Sequence, residues 1–289
     1  PYGTTVFKPS FAPPSSIKYA IVSEASIGAL FLAGVIPGLM PALMFSAYCM
    51  IQARGRDGIN TPDWAGWPAA VSAFRRSVWA LLAPPVVMGG IYFGIFTASE
   101  AAAAGSLYAL LVAVLVYRNF GFRDLWACAY ATMRTSMMVF MIIAGAAMFG
   151  HAITLVRLPV GVTEAVASFG LGPIGFVLVV MVLIFVLGMF LESIAIILIT
   201  TPILLPTMIA LGIDPIWYGI LLMINLELVM ITPPVGMNLF VIKGISNAPL
   251  ATIVRGAAPF VIIMIVGLAL LIAVPELATW LPTAAGFGR

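Results

Sequence analysis

Residues 215–242 read PIWYGILLMINLELVMITPPVGMNLFVI, and Glu227 is the one charged side chain among them. A run this long and apolar can cross ~30 Å of hydrocarbon as a helix. Yet Pro233-Pro234 and then Gly236 fall inside it. Proline brings no amide donor, and its ring clashes with the carbonyl four residues back. No regular helix therefore passes through Thr232-Pro233-Pro234-Val235-Gly236-Met237-Asn238. In lipid the freed backbone groups must be satisfied by protein, water or ions. Secondary transporters build ion and substrate sites at membrane depth from such breaks.

The composition agrees. Of 289 residues, 63% are apolar and 8% charged, and the mean hydropathy is +1.18. Soluble domains carry roughly 25% charged residues, so this chain lacks the polar side chains to coat a water-facing surface. The expected class is an all-α polytopic membrane protein whose enclosing solvent is the lipid bilayer. The net charge of +3 is spread over short loops, with no basic face for nucleic acid. Cys49 and Cys128 have no CxxC spacing and read as inert packing residues.

Working outward, other blocks alternate with charged stretches. Gly28 to Ile51 is uncharged, Ser77 to Tyr117 carries one charge at Glu100, and Thr135 to Val156 surrounds His151. A Gly-rich link from Leu158 to Pro173 carries Glu164, and Ala165 to Ile213 is apolar apart from Glu192; Gly256 to Pro275 is the last uncharged run. Arg-rich stretches at 52–76 and 118–134 belong on the cytoplasmic side, as does the stretch with Lys243 and Arg255. By parity, 77–117 then crosses twice, turning near Thr97 to Glu100, and 135–156 runs outward. A hairpin over 173–211 enters and leaves on the non-cytoplasmic side, before 215–242 crosses back. Pro84-Pro85, Pro202 and Pro206 mark further expected helix breaks. At an offset of 220 residues, Pro13-Pro14 echoes Pro233-Pro234 and Ser26 echoes Ser246, a weak repeat.

Several motifs together carry a resemblance. Gly188-Met189-Phe190-Leu191-Glu192 is followed by Thr201-Pro202-Ile203-Leu204-Leu205-Pro206, Gly212-Ile213-Asp214-Pro215, and Ile231 to Phe240 around the Pro-Pro. Earlier come Pro13-Pro14-Ser15, Ser26 to Gly34 with Pro37-Gly38, and Gly94 to Ala101. In this order they resemble the large membrane subunit of TRAP (tripartite ATP-independent periplasmic, DctM-type) transporters. The resemblance implies an elevator-type fold with re-entrant helical hairpins and broken helices. It divides the chain into an unassigned segment 1–12, the end of a first-repeat broken helix at 13–27, and transmembrane helices of scaffold and connecting arms at 28–156. The second-repeat transport region is 157–289, with the hairpin at 173–211, a broken helix at 215–245 and a final span at 256–280. One near-complete repeat of an inverted pair is thus expected. The chain starts Pro1-Tyr2-Gly3 without methionine and reads as the later part of a longer protein.

The resemblance further implies a sodium-coupled, binding-protein-dependent importer of organic acids such as C4-dicarboxylates or sialic acid, in a bacterial inner (cytoplasmic) membrane. Its partners are a small TRAP membrane subunit and a periplasmic substrate-binding protein. It needs no cofactor besides Na+ as coupling ion, held between hairpin tip and helix break. Sodium takes oxygen ligands, so the candidates are the hydroxyls of Ser193 and Thr232, the Asn238 amide oxygen and the carbonyls of Gly188 and Gly236. Glu192, Pro233, Pro234, Pro14 and Ser15 complete the ion- and substrate-binding set. Glu100 reads either as a turn marker or as a helix cap, Glu227 as a pairing or packing residue, and His151 as an interface residue. An intramembrane hydrolase is the enzyme rival, but there is no HExxH, and Asp57, Asp63, Asp124 and Asp214 all fall in loops. Another ion-coupled transporter or a channel-like structural subunit remains the second rival.

Overall fold

The computed structural model describes residues 16, 19–20, 22–23, 25–54, 66–118, 120–233, 236–246 and 248–287. All regular structure among them is helical. Backbone contacts divide the chain into two units, Pro1–Met50 with Ile142–Arg289, and Ile51–Met141. Five helical stretches are long and apolar enough to cross a membrane: Ile27–Arg54, Ser99–Tyr117, Phe122–Leu155, Ser193–Ala210 and Leu250–Ala273.

The smaller unit contains α3 (Gly66–Leu81), α4 (Ala83–Tyr92) and α5 (Ala98–Leu111), the last running on as a π-helical turn, Val112–Tyr117. Pro84-Pro85 marks the helix break expected of it: α3 ends at Leu81 and α4 starts at Ala83. The pair sits in the first turn of α4, where the missing amide donors would be unpaired anyway. Gly94 turns the chain at φ 67, and Glu100 then closes a capping box on α5. Its Oε2 accepts from the Thr97 backbone N–H and hydroxyl, both at 2.8 Å, so the cap reading accounts for it.

α6 (Phe122–Leu155) has 34 residues and is about 51 Å long at 1.5 Å per residue. It exceeds a bilayer core, and its surplus is the charged first turns with Arg123, Asp124 and Arg134. The stretch expected as a polar connection is thus mostly helix. The Gly-rich link is helical too, as α7 (Leu158–Ser168). Pro159 cannot donate to Leu155, which helps end α6, and it fits the first turn of the next helix.

The larger unit opens with α1 (Ile27–Ala33) and α2 (Val35–Arg54), then continues after α7 with α8 (Pro173–Gly188), α9 (Ser193–Ala210) and α10 (Pro215–Met230). It closes with α11 (Met237–Ser246), α12 (Leu250–Ala273) and α13 (Glu276–Ala284). α9 runs through Pro202 and Pro206 without interruption. The two prolines are four residues apart on one face, so the lost backbone bonds fall on one side and neighbouring helices hold the rest. The final span begins at Leu250 and stops at Ala273, because Pro275 withholds a donor from Leu271.

α10 is the hub. It packs on α1, α8, α9, α12 and α13, and is buried on all sides. Such a helix must be apolar all round, as this one nearly is. Tyr19 donates from its hydroxyl to the Pro215 carbonyl at 2.8 Å. Gly219 is required beside it: a Cβ there would sit 2.5 Å from Tyr19 Cε1 and 2.9 Å from Leu30 Cδ2. Trp217 Nε1 donates at 2.9 Å to the Leu271 carbonyl, the acceptor that Pro275 leaves without a helical donor.

Candidate functional site

The first arm of the hairpin, α8, ends at Gly188, and the second, α9, starts at Ser193. Between them the chain is held by local bonds, Phe190 N–H to Leu187 O at 3.0 Å and Leu191 N–H to Leu187 O at 2.9 Å. Glu192 is the N-cap residue of α9, extended in backbone and exposed, and its carboxylate caps nothing. The first amides of α9 therefore point out of the tip without a side-chain cap.

The helix break lies between Met230 and Met237. The chain leaves α10 through a tightened turn, Ile231 N–H to Leu228 O at 3.3 Å and Thr232 N–H to Val229 O at 3.1 Å. The Thr232 hydroxyl donates to Leu228 O at 2.6 Å. Its proton is thereby used, and its oxygen lone pairs remain to accept. The Met230 carbonyl finds no donor in the next turn, because the residues three and four further on are Pro233 and Pro234. Past the break, the Gly236 N–H returns to Thr232 O at 3.1 Å. A Cβ at Gly236 would lie 2.9 Å from that same oxygen, so the close approach needs glycine.

Two contacts bring the hairpin arm against the break. A Cβ on Gly188 would be 2.9 Å from Val229 Cγ1, so the end of α8 touches the last turn of α10. Two turns back on α8, Met181 O accepts from Asn225 Nδ2 at 2.8 Å. Asn225 is 1% exposed, and nothing in the sequence reading singled it out. The signal was available: an amide in the middle of an apolar block needs a partner, and finding one fixes a helix pair.

The remaining sequence candidates fall as follows. Gly188, Thr232 and Gly236 belong to the arrangement just described. Ser193 is half-buried at the start of α9, Pro233 is exposed, and Asn238 is half-buried in the first turn of α11. No hydrogen bond among the described residues joins Ser193 or Asn238 to the break. Pro14, Ser15 and Pro234 lie outside the described residues. Glu227 is half-buried, but at 3.6 residues per turn it lies about 160° from both Asn225 and Val229, on the face turned away from α8. His151 is exposed on α6.

Comparison with known proteins decides the family. The profile of the family described as tripartite ATP-independent periplasmic transporter, DctM component, matches residues 10–277. The chain belongs to this family. Among its relatives, the chain is 38% identical to the C4-dicarboxylate TRAP transporter large permease protein DctM of Vibrio cholerae, over 94% of its own length and 64% of the relative's. It is 38% identical to the ectoine TRAP transporter large permease protein TeaC of Halomonas elongata, over 93% of its length and 63% of the relative's. It is 34% identical to the sialic acid TRAP transporter large permease protein SiaM of Vibrio cholerae, over 96% and 65%. The chain thus spans slightly under two thirds of the length of these relatives. They are transporter permeases, not enzymes, and with its apolar helices this chain is a multi-pass membrane protein.

Proposed function

We propose that the chain is part of the permease of a sodium-coupled, binding-protein-dependent secondary transporter that imports organic acids across a bacterial inner membrane. In this reading it works beside a small membrane subunit and a periplasmic binding protein. Sodium binds where the end of α8 meets the break after α10, and the hairpin is re-entrant and moves in an elevator cycle. The observation that carries the reading is the break itself. There the Met230 carbonyl and the Thr232 hydroxyl oxygen follow closely in the chain on Val229, which touches the end of α8 at Gly188, and the face carries no formal charge. Oxygen dipoles on unwound backbone suit a hard monovalent cation without burying a carboxylate. The relatives named above are called after a C4-dicarboxylate, ectoine and sialic acid, which supports a solute carrier; in this reading the binding protein makes the choice of acid.

The test is Thr232→Val in the full-length transporter. The change removes one oxygen at nearly constant volume, and Leu228 O keeps its bond from the Ile231 amide. The sodium concentration for half-maximal uptake should rise about fivefold, as loss of ~1 kcal/mol of ion–dipole contact implies. Thr232→Ser should behave as wild type. Unchanged sodium dependence at normal expression refutes the assignment.

The hairpin's orientation has its own test. Gly170 and Gly212 hold φ of 63 and 67, so cysteine probes belong at exposed neighbours, Phe169 and Ala210. With Cys49 and Cys128 replaced, Phe169→Cys and Ala210→Cys should both react with an impermeant thiol reagent from the periplasmic side. If the probe at 210 reacts only from the cytoplasm, the hairpin is not re-entrant.

A further inference from the structure

A cavity of about 250 Å³ opens on the other side of the hairpin, lined by Thr154, Arg157, Val160, Thr163, Pro202 and Pro206. It lies where the end of α6, the start of α7 and the second half of α9 meet. Its walls are apolar or already satisfied. The Thr154 hydroxyl donates to Gly150 O at 2.9 Å, and those of Thr163 and Thr207 share a hydrogen bond of 2.7 Å that ties α7 to α9. Arg157 is the exception. Its guanidinium makes no ion pair or hydrogen bond with another described residue, so five donors are left for something else.

The backbone sharpens the point. Arg157 holds φ 55, a left-handed conformation that glycine or asparagine adopts more easily. Strain of this kind in a non-glycine residue points to a use for its side chain. Around it Leu155, Val156, Leu158 and Val160 are all exposed. In a multi-pass membrane protein exposed apolar side chains of this kind suit acyl chains. The arginine at the end of the long α6 then sits where headgroups begin.

We propose that this cavity binds the phosphate of a membrane phospholipid, with Arg157 as the forked donor and Leu155, Val156, Leu158 and Val160 against its acyl chains. A planar guanidinium matches two phosphate oxygens, and the cavity has room for a headgroup but not for acyl chains. A bound lipid would span the α6–α7 junction and the second arm of the hairpin, bracing the arm that the Thr163–Thr207 pair already ties to α7.

Full-length permease in mild detergent is titrated with phosphatidylglycerol, and with diacylglycerol of the same acyl chains, and bound lipid is counted by native mass spectrometry. Arg157→Gln should bind phosphatidylglycerol about tenfold more weakly than wild type, with Arg157→Lys between them. Diacylglycerol binding should not distinguish the variants. Val160→Trp fills the cavity while keeping the charge, and it should lose phosphatidylglycerol too; it serves if Arg157→Gln does not fold. Equal phosphatidylglycerol binding by wild type and Arg157→Gln, or full binding by Val160→Trp, overturns the site. Displacement of the lipid by equimolar inorganic phosphate overturns its lipid origin and leaves a free-anion site.

Discussion

Gly219→Val should bring down the melting temperature of the detergent-purified permease by about 6–12 °C or prevent its isolation. At 2–4 °C per kcal/mol for a protein of this size class, that shift corresponds to roughly 3 kcal/mol. The cause is overpacking. Even the first added carbon meets Tyr19 Cε1 at 2.5 Å and Leu30 Cδ2 at 2.9 Å. Neither neighbour can step aside into lipid: Tyr19 is 0% and Leu30 1% exposed, and the tyrosine hydroxyl is tied to Pro215 O. Inserting methyl groups into such a core costs ~1–3 kcal/mol each time the neighbours cannot relax. Gly219→Ala should fall between wild type and valine. A valine variant that melts with wild type would mean the Tyr19 ring has room to turn.

Trp217→Phe tests a single hydrogen bond. Phenylalanine keeps most of the ring but loses the N–H that reaches Leu271 O at 2.9 Å. Pro275 leaves that carbonyl no helical donor, and Leu271 is fully buried, so the acceptor is stranded. The expected cost is about 1–3 kcal/mol, read as a melting point lowered by roughly 2–12 °C. Pro275→Ala in the same background should recover part of the loss by restoring an amide four residues on. No recovery, with an unaltered helix content, would show that the indole matters by its volume rather than by its N–H.

These contacts mark the limit of what the sequence discloses. The interruption near Pro233-Pro234 is legible because two adjacent residues without amide donors leave a helix no alternative, and α10 stops at Met230. Single prolines are weaker evidence: Pro202 and Pro206 lie inside an unbroken α9, whereas the adjacent pair Pro84-Pro85 does fall at a helix boundary. The sign of a proline's effect depends on its place in the turn and on which neighbours hold the freed carbonyls, and neither is written locally. Charge placement gave the blocks, but not that α6 absorbs a charged stretch into its first turns. For the site, Gly188, Thr232 and Gly236 stood out by residue type. Asn225 did not, because its meaning is a partner 44 residues away in sequence.

The central place of α10 also bears on how the chain is made. With 16 residues it is about 24 Å long, short of a ~30 Å hydrocarbon core, and it carries Asn225 and Glu227. As it leaves the ribosome it is a poor candidate to settle in lipid by itself. Synthesis order removes the difficulty. Tyr19, Leu30 and Met181 all precede it, so its glycine notch and its amide meet finished surfaces on arrival. Leu271 comes last, and the bond from Trp217 to its carbonyl is the latch that closes the bundle once the final long helix has emerged.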